Sequence, residues 1–330
     1  MAFHSGFVCI LGRPNAGKST LLNALVGEKL AIVSPKPQTT RNRILGILQV
    51  PAQAGKKISG QVILVDTPGV HRPDTSLGRK MMAEVQEGLE GSDLVLLMMD
   101  VTRKPDQADQ MVFDLVARSK TPTFLLLNKI DQFRGEKGKL LPLIEQYSQN
   151  RSFAEIIPIS ARKRDGLEVL LEKIVAFLPV GPVYFPDDQL TDQPTRFMAA
   201  EMIREQVLLA TKEEVPHATT VIVEQFEEGQ RLTRIAAVIY CERQGQKAIL
   251  VGKGGQMLKK IGTDARKRIE ELVGTKVFLE LFVKVREGWR ESPEFVEDLD
   301  WRRQLEHLAD GKFAIAQSGG ATGKRRGRAS

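Results

Sequence analysis

The stretch Gly12-Arg13-Pro14-Asn15-Ala16-Gly17-Lys18-Ser19 follows the apolar run Phe7-Val8-Cys9-Ile10-Leu11 and runs into Thr20-Leu21-Leu22-Asn23-Ala24-Leu25-Val26. A strand, a glycine-rich turn and a helix start, in that order, are the context of a phosphate-binding loop. Gly12 and Gly17 allow successive backbone N–H groups to curl round a polyphosphate, and the helix N-terminus behind them adds partial positive charge. The pattern directs Lys18 to the β- and γ-phosphates and the Ser19 hydroxyl to Mg²⁺. Alone, the loop specifies a polyphosphate but no base.

Working outward, short apolar runs recur at Phe7–Leu11, Ile44–Val50, Val62–Val65, Leu94–Met99, Phe124–Leu127 and Ile156–Ile159. Segments of helical period lie between most of them: Thr20–Val26, Leu77–Gly91, Ala108–Ser119, Leu140–Gln149 and Leu167–Phe177. Alternation of this kind predicts an α/β fold, a mostly parallel sheet with helices on both faces. It stops at the proline-rich stretch Leu178–Pro186, which continues to Pro194 and reads as an interdomain linker. The expected division is 1–180, a P-loop domain; 181–195, a linker; 196–290, a second domain; and 291–330, a C-terminal extension.

Three further motifs narrow the ligand, and the last two decide the base. Asp66-Thr67-Pro68-Gly69 closes one strand, placing a carboxylate for Mg²⁺ and a backbone N–H for the γ-phosphate. Asn128-Lys129-Ile130-Asp131 ends another strand, on the same carboxyl edge of the sheet where ligands of open α/β sheets bind. A carboxylate at Asp131 accepts from both N1–H and N2–H₂ of guanine, a donor pair that adenine lacks. Ser160-Ala161 follows the next strand and offers a backbone N–H to the guanine O6. Together these predict GTP and GDP as ligands. Thr39-Thr40 lies in the loop before Ile44, and Thr40 is preferred as the hydroxyl that joins Ser19 and Asp66 on Mg²⁺ when a γ-phosphate is present. Lys18, Thr40, Asp66 and Gly69 are therefore the expected catalytic groups. Val70 stands where many GTPases carry a Gln that orients water, so slow intrinsic turnover is expected. Asn15 is either a loop-stabilising amide or a ligand for a monovalent cation such as K⁺.

The second half changes character. Arg196–Lys212 reads as a helix, Thr219–Glu228 and Leu232–Glu242 as a hairpin about Glu228-Gly229-Gln230, and Lys247–Val251 as the approach to Gly252-Lys253-Gly254-Gly255. A basic helix over Gln256–Val273 and a strand at Lys276–Val285 follow. This order resembles an α+β KH domain of type II, whose GxxG loop clamps the backbone of a short single strand. Gly252, Lys253, Gly254, Gly255, Lys259 and Lys260 are the expected RNA contacts, and Arg266, Lys267 and Arg268 extend the charge. The formal charge of +7 over 330 residues agrees with a polyanionic partner. Cys9 and Cys241 lie in separate apolar segments without metal-ligand spacing and read as buried hydrophobes, not a disulfide. Neither a signal-peptide pattern at Met1–Gly6 nor an apolar run of ~18 residues is seen, so a soluble, intracellular chain is expected. Ser318–Ser330 has no apolar residue larger than alanine and is expected to be disordered.

A single Gly-Arg-Pro-Asn-Ala-Gly-Lys-Ser loop, Gln38-Thr39-Thr40-Arg41, Asp-Thr-Pro-Gly, Asn-Lys-Ile-Asp and Val251-Gly252-Lys253-Gly254-Gly255-Gln256 together resemble the Era family of bacterial GTPases. The likeness covers about residues 5–290 and joins a TrmE-Era-EngA-type G domain to a KH domain. It implies GTP hydrolysis with Mg²⁺, contact with the 3′ end of 16S rRNA, and a role in small (30S) ribosomal subunit assembly. It also implies a monomer that associates peripherally with the inner membrane and does not bind DNA. Beyond Trp289 the chain is expected to leave the family pattern. Other readings are a GTPase of large-subunit RNA or tRNA, an RNA-binding scaffold with a non-cycling G domain, and a small-molecule kinase. A large-subunit factor with two G domains would need a second P-loop, and a tRNA-modifying GTPase would need a C-terminal reactive cysteine where the last here is Cys241. Asn128–Asp131 weighs against the kinase.

Overall fold

The first strand, β1 (Phe3–Gly12), divides its side chains between two cores. Val8 and Ile10 pack with Leu21, Leu22, Leu170 and Ile174, whereas Cys9 and Leu11 pack with Val85, Leu89, Val112 and Phe113. A strand buried on both faces reads as one continuous apolar run, because successive side chains point to opposite sides. This computed structural model describes residues 2–51, 59–133, 140–150 and 152–309.

Around β1 stand β2 (Ile44–Val50), β3 (Ser59–Asp66), β4 (Leu94–Asp100), β5 (Thr123–Asn128) and β6 (Glu155–Ile159), in the order β2-β3-β1-β4-β5-β6. Only the β2–β3 pair is antiparallel. Helices α1 (Lys18–Val26) and α5 (Leu167–Phe177) cover one face; α2 (Ser76–Glu90), α3 (Gln107–Arg118) and α4 (Leu140–Asn150) cover the other. The expected elements are present with ends moved by a few residues. The largest shift is at β1, which starts at Phe3 rather than Phe7 because Phe3–Gly6 pairs with Ser59–Val62. That ladder depends on a distant strand, and no local apolar run announces it.

The proline-rich linker is a fastened strap. Ser5 N–H donates to the Pro179 carbonyl (3.0 Å), Gly181 N–H to Phe3 (3.1 Å), and Ile47 N–H to Leu190 (2.8 Å). Gln61, fully buried on β3, accepts from the N–H groups of Tyr184 and Phe185 and donates to the Phe185 carbonyl. The strap thus satisfies backbone groups along the end of the sheet as it passes from β1 to β2.

The second domain comprises α6 (Thr195–Ala210), β7 (Thr220–Glu227), β8 (Leu232–Cys241), α7 (Gln244–Val251), α8 (Gln256–Val273) and β9 (Lys276–Val285). Its sheet has the order β7-β8-β9, antiparallel then parallel. A helix before a hairpin, then two helices crossing to a parallel strand, is the type II KH arrangement. Ile261, Ala265 and Ile269 of α8 recur at i, i+4 and i+8 and pack on Ile203 and Val207 of α6 and on Ala237 and Ile239 of β8. Cys9 and Cys241 are free and buried. No helix among the described residues is long and apolar enough to cross a membrane.

After β9 the chain forms α9 (Pro293–Asp298) and α10 (Trp301–Ala309). Trp289, Phe295, Val296 and Leu299 bury themselves between Ile222, Val238 and Tyr240 of the KH sheet and Leu77 and Met81 of α2. This segment, which composition alone leaves without a place, is the apolar wedge between the domains. Trp289 is fully buried and its Nε1–H donates to the Ala218 carbonyl at 2.9 Å. The expected disorder over Ser318–Ser330, including the basic run Lys324–Arg328, lies outside the described residues. Replacing Trp289 by Ala removes the wedge's largest side chain and should destabilise the protein by about 3–5 kcal/mol. A lower urea midpoint in chemical denaturation checks this.

Candidate functional site

The phosphate loop hangs between β1 and α1. Gly12 (φ 154°) and Gly17 (φ 104°) hold backbone conformations that side chains disfavour. A Cβ on Gly17 would lie 2.4 Å from the Asn128 amide nitrogen, and one on Gly12 would lie 2.8 Å from the Met98 carbonyl. Close approach, as well as torsion, therefore requires glycine. Pro14, Asn15, Gly17, Lys18, Ser19, Thr20, Thr40 and Gly69 line one cleft. Lys18 Nζ, buried, donates to the carbonyls of Gly12 (3.2 Å) and Arg13 (2.9 Å), and burial lowers its pKa to about 8. An incoming phosphate anion would favour the charged form further.

Ser19, Thr40 and Asp66 converge on one another. Ser19 Oγ lies 2.7 Å from Asp66 Oδ2 and 2.8 Å from Thr40 Oγ1, and Thr40 Oγ1 donates to the same carboxylate oxygen at 3.5 Å. Thr39 turns the other way, its hydroxyl donating to the Lys36 carbonyl at 2.7 Å. Asp66 is fully buried, and its Oδ1 has no partner among the described residues. Burial pushes its carboxyl up to about 6, while the Lys18 charge pulls in the opposite direction. Three hard oxygen donors and an orphaned carboxylate oxygen fit a magnesium ion, which takes oxygen ligands and one or two carboxylates.

At the base end, Asn128 donates through Nδ2 to the Ala16 carbonyl (2.7 Å) and accepts at Oδ1 from Ala161 N–H (3.0 Å). It joins the phosphate loop to the loop after β6. Ser160 Oγ donates to Asp131 at 2.6 Å, and Lys129 Nζ pairs with Asp100 at 2.6 Å. Asp131 thus stands as an oriented acceptor beside Ser160-Ala161.

Several expected residues do their work away from the cleft. The Arg13 guanidinium leaves the phosphate loop for Asp106 and Asp109, so only its backbone faces the site. Ala16 is buried in the α1 core, Thr67 Oγ1 donates to the Ile10 carbonyl, and Ile130 packs against the opposite core. Val70 is 1% exposed with its side chain in the α2 core, and its N–H donates to the Gly12 carbonyl at 3.1 Å. Gly69 approaches so closely that a Cβ there would meet Pro14 N at 2.6 Å. Asn15 (φ 62°) donates from Nδ2 to the Pro35 carbonyl at 2.9 Å, leaving Oδ1 as an acceptor.

In the second domain, Gly252 (φ 71°), Gly254 (φ 59°) and Gly255 (φ 78°) bend the chain between α7 and α8. A Cβ on Gly254 or Gly255 would meet open space, so backbone torsion and outside access are the constraints there. Lys253, Lys259 and Lys260 are exposed and carry no ion pair among the described residues. Contacts that sequence reasoning missed join the two sites. Arg204 of α6, 1% exposed, donates to the Thr39 carbonyl; Glu205 accepts from Val33 N–H at 2.9 Å and pairs with Lys29. Arg41 donates to the Thr219 carbonyl (2.8 Å) and lies over the Trp289 ring, 5.5 Å from its centroid. Local patterns give no signal of these long-range pairs.

Residues 7–129 match the family described as 50S ribosome-binding GTPase, and residues 214–290 match the KH domain family. The GTPase Era of Geobacter metallireducens is 48% identical over 301 residues, covering 91% of this chain and 98% of the relative. That of Ruminiclostridium cellulolyticum is 46% identical over 303 residues, covering 92% and 99%. Two solved structures, each 38% identical, cover 91% of this chain and 99% of their own. One is an Aquifex aeolicus Era variant bound to GDP and AlF₄⁻, with a TM-score of 0.85. The other is an Era in complex with MgGDPNP and nucleotides 1506–1542 of 16S ribosomal RNA, with a TM-score of 0.86. A match over 301 of 330 residues extends past residue 290, which corrects the expectation that the likeness ends near Trp289.

Changing Asp131 to Asn presents an amide donor to the guanine N2 amino group. Affinity for GTP should fall by at least about 100-fold, while xanthosine triphosphate, with a carbonyl at that position, gains affinity. Competition against a fluorescent guanine nucleotide measures both.

Proposed function

The chain belongs to the Era family of GTPases, and from that premise we propose that it is a GTP-driven switch that binds 16S rRNA near its 3′ end in small-subunit assembly. The G domain takes residues 1–180, the linker 181–195, the RNA-binding KH domain 196–290 and the extension 291–330. GTP lies along residues 12–20, 66–70 and 128–131, with Ser160 and Ala161 at the base. Lys18 holds the β- and γ-phosphates, and Gly69 meets the γ-phosphate through its backbone. Ser19, Thr40 and Asp66 hold Mg²⁺, which when bound neutralises charge on the phosphate oxygens.

The observation that carries the switch is the hydrogen bond from Arg204 to the Thr39 carbonyl. Thr40, the residue that senses the γ-phosphate through the metal site, is the neighbour of a residue held by the KH domain's own helix. A change of nucleotide that moves Thr40 must therefore move or break a contact with the RNA-binding half. RNA contacts fall to Gly252–Gly255, Lys259 and Lys260. The family resemblance alone supplies a cytoplasmic location with peripheral inner-membrane association.

Val70 is apolar and turned into the core, so it cannot orient a water molecule. Asn15 Oδ1 lies at the phosphate loop, with its amide nitrogen tied to Pro35. We assign it to a potassium ion that adds positive charge beside the phosphates, and hydrolysis should run several-fold faster in potassium than in sodium. Equal phosphate-release rates in the two salts would remove that assignment.

Gly254→Asp puts a negative charge in the GxxG loop at a position with free space around it. Affinity for a 16S 3′-end oligonucleotide should drop about tenfold or more, with GTP affinity unchanged. Crosslinking and sequencing of bound cellular RNA tests the partner: adducts confined to large-subunit RNA or tRNA would overturn the small-subunit reading.

A further inference from the structure

The segment from the end of β4 into the first turn of α3, residues 100–109, lines no part of the phosphate cleft, yet it holds the loops at both ends of the nucleotide site. Sheet order explains how. Strand β4 lies between β1, which ends in the phosphate loop, and β5, which ends in the base loop. The chain leaving β4 therefore emerges between those two loops at the carboxyl edge.

Toward the base, Asp100 Oδ2 pairs with Lys129 Nζ at 2.6 Å. Its other oxygen accepts from Thr102 N–H (2.9 Å) and Thr102 Oγ1 (2.6 Å), which fixes the carboxylate plane. Val101 N–H donates to the Asn128 carbonyl at 3.1 Å. Lys129 takes a left-handed backbone conformation (φ 70°) two residues before Asp131. A non-glycine residue at such a torsion needs the surroundings to hold it. Burial pushes the Asp100 carboxyl up, but its bonds to Lys129 and Thr102 prevail and hold it below the usual range.

Toward the phosphates, Arg13 Nη1 donates to Asp106 (2.5 Å) and Asp109 (3.1 Å). Asp109 is 1% exposed and also receives both arms of Arg103, at 2.9 and 2.7 Å, and Asp106 N–H at 2.9 Å. Asp106 caps α3 through Ala108 N–H. The carbonyl of this same Arg13 accepts from Lys18 Nζ, so the anchor at α3 acts on the residue that supports the catalytic lysine.

We propose that Asp100 and Asp109 are positioning residues for the nucleotide, Asp109 holding the phosphate loop through Arg13 and Asp100 holding the base loop through Lys129. The inference rests on the GTP site described above. It assigns separable effects to two acidic residues that flank one loop, neither of which lines the phosphate cleft. Asp109 governs how tightly any nucleoside triphosphate is held. Asp100 governs how well Asp131 distinguishes guanine from a base lacking the 2-amino group.

The test uses the full chain and follows the binding of GTP, ITP and ATP by displacement of a fluorescent guanine nucleotide. Asp109→Asn should weaken GTP and ITP alike by about tenfold, leaving their ratio unchanged. Asp100→Asn should reduce the GTP-to-ITP preference by about tenfold with a smaller change in ITP affinity. A merely structural role lowers thermal stability without dividing the effects in this way. If Asp109→Asn fails to fold, Asp106→Asn, at a half-exposed carboxylate bound to the same arginine, decides the phosphate-end claim by the same constant-ratio weakening. Variants that bind all three nucleotides as the wild type does, or that shift the ratio equally, overturn the inference. A wild-type protein with no preference for GTP over ATP would instead overturn the underlying site reading.

Discussion

Parallel pairing of β3, β1, β4, β5 and β6 aligns the strand ends from which the phosphate loop, Asp66, Asn128–Asp131 and Ser160-Ala161 emerge. In the β1–β3 ladder Ile10 lies opposite Asp66, and in the β1–β4 ladder Gly12 lies opposite Met98. The β4–β5 ladder sets Asp100 opposite Asn128, and the β5–β6 ladder sets Asn128 opposite Ile159. Because a strand's side chains alternate, a slip of one residue would send Asp66 to the wrong side of the sheet. The buried apolar rows of β1, β3, β4 and β5 make such a slip costly. Core packing and site geometry are consequently one constraint.

From that edge the site is assembled by hydrogen bonds between loops. Asn128 spans the phosphate loop and the loop after β6, and Ser19 and Thr40 share one oxygen of Asp66. Desolvation raises the cost of a charged Asp66, and its second oxygen has no partner among the described residues. A buried carboxylate with an unfilled acceptor position is poised for a cation. The KH domain reaches the same edge from outside through Arg204, and Arg41 of the G domain reaches back to the Thr219 carbonyl, while Trp289 and Phe295 seal the α2 side. The loop that carries Thr39 and Thr40, and the helix α2 that follows Asp66–Gly69, thus touch the KH domain.

Much of this was legible along the chain. The limits of β2, α5, α8 and β9 match their apolar periods to the residue, since each pattern is long and its period unambiguous. The phosphate loop, Asp66–Gly69, Asn128–Asp131 and Gly252–Gly255 were visible because each is a contiguous motif with its own local geometry. Thr40 and Thr39 were nearly indistinguishable in sequence. Only the folded loop shows that Thr39 is bonded to Lys36. Residues 289–309 carried no recognisable motif, yet they fill the junction between the domains.

The sequence by itself determined which chemistry is present: a phosphate cradle, a guanine acceptor, a hydroxyl–carboxylate set for Mg²⁺ and a glycine-bent basic loop. These depend on residue type at short spacing, which the linear chain displays. Tertiary structure alone decided how those parts are held and joined. Arg13 reaches α3, Lys129 reaches Asp100, and Arg204 reaches Thr39 across 29 to 165 positions of chain. Such pairs form because sheet order places β4 between β1 and β5 and because the apolar wedge docks one domain on the other. No local pattern encodes a partner that only chain crossover brings within hydrogen-bonding distance.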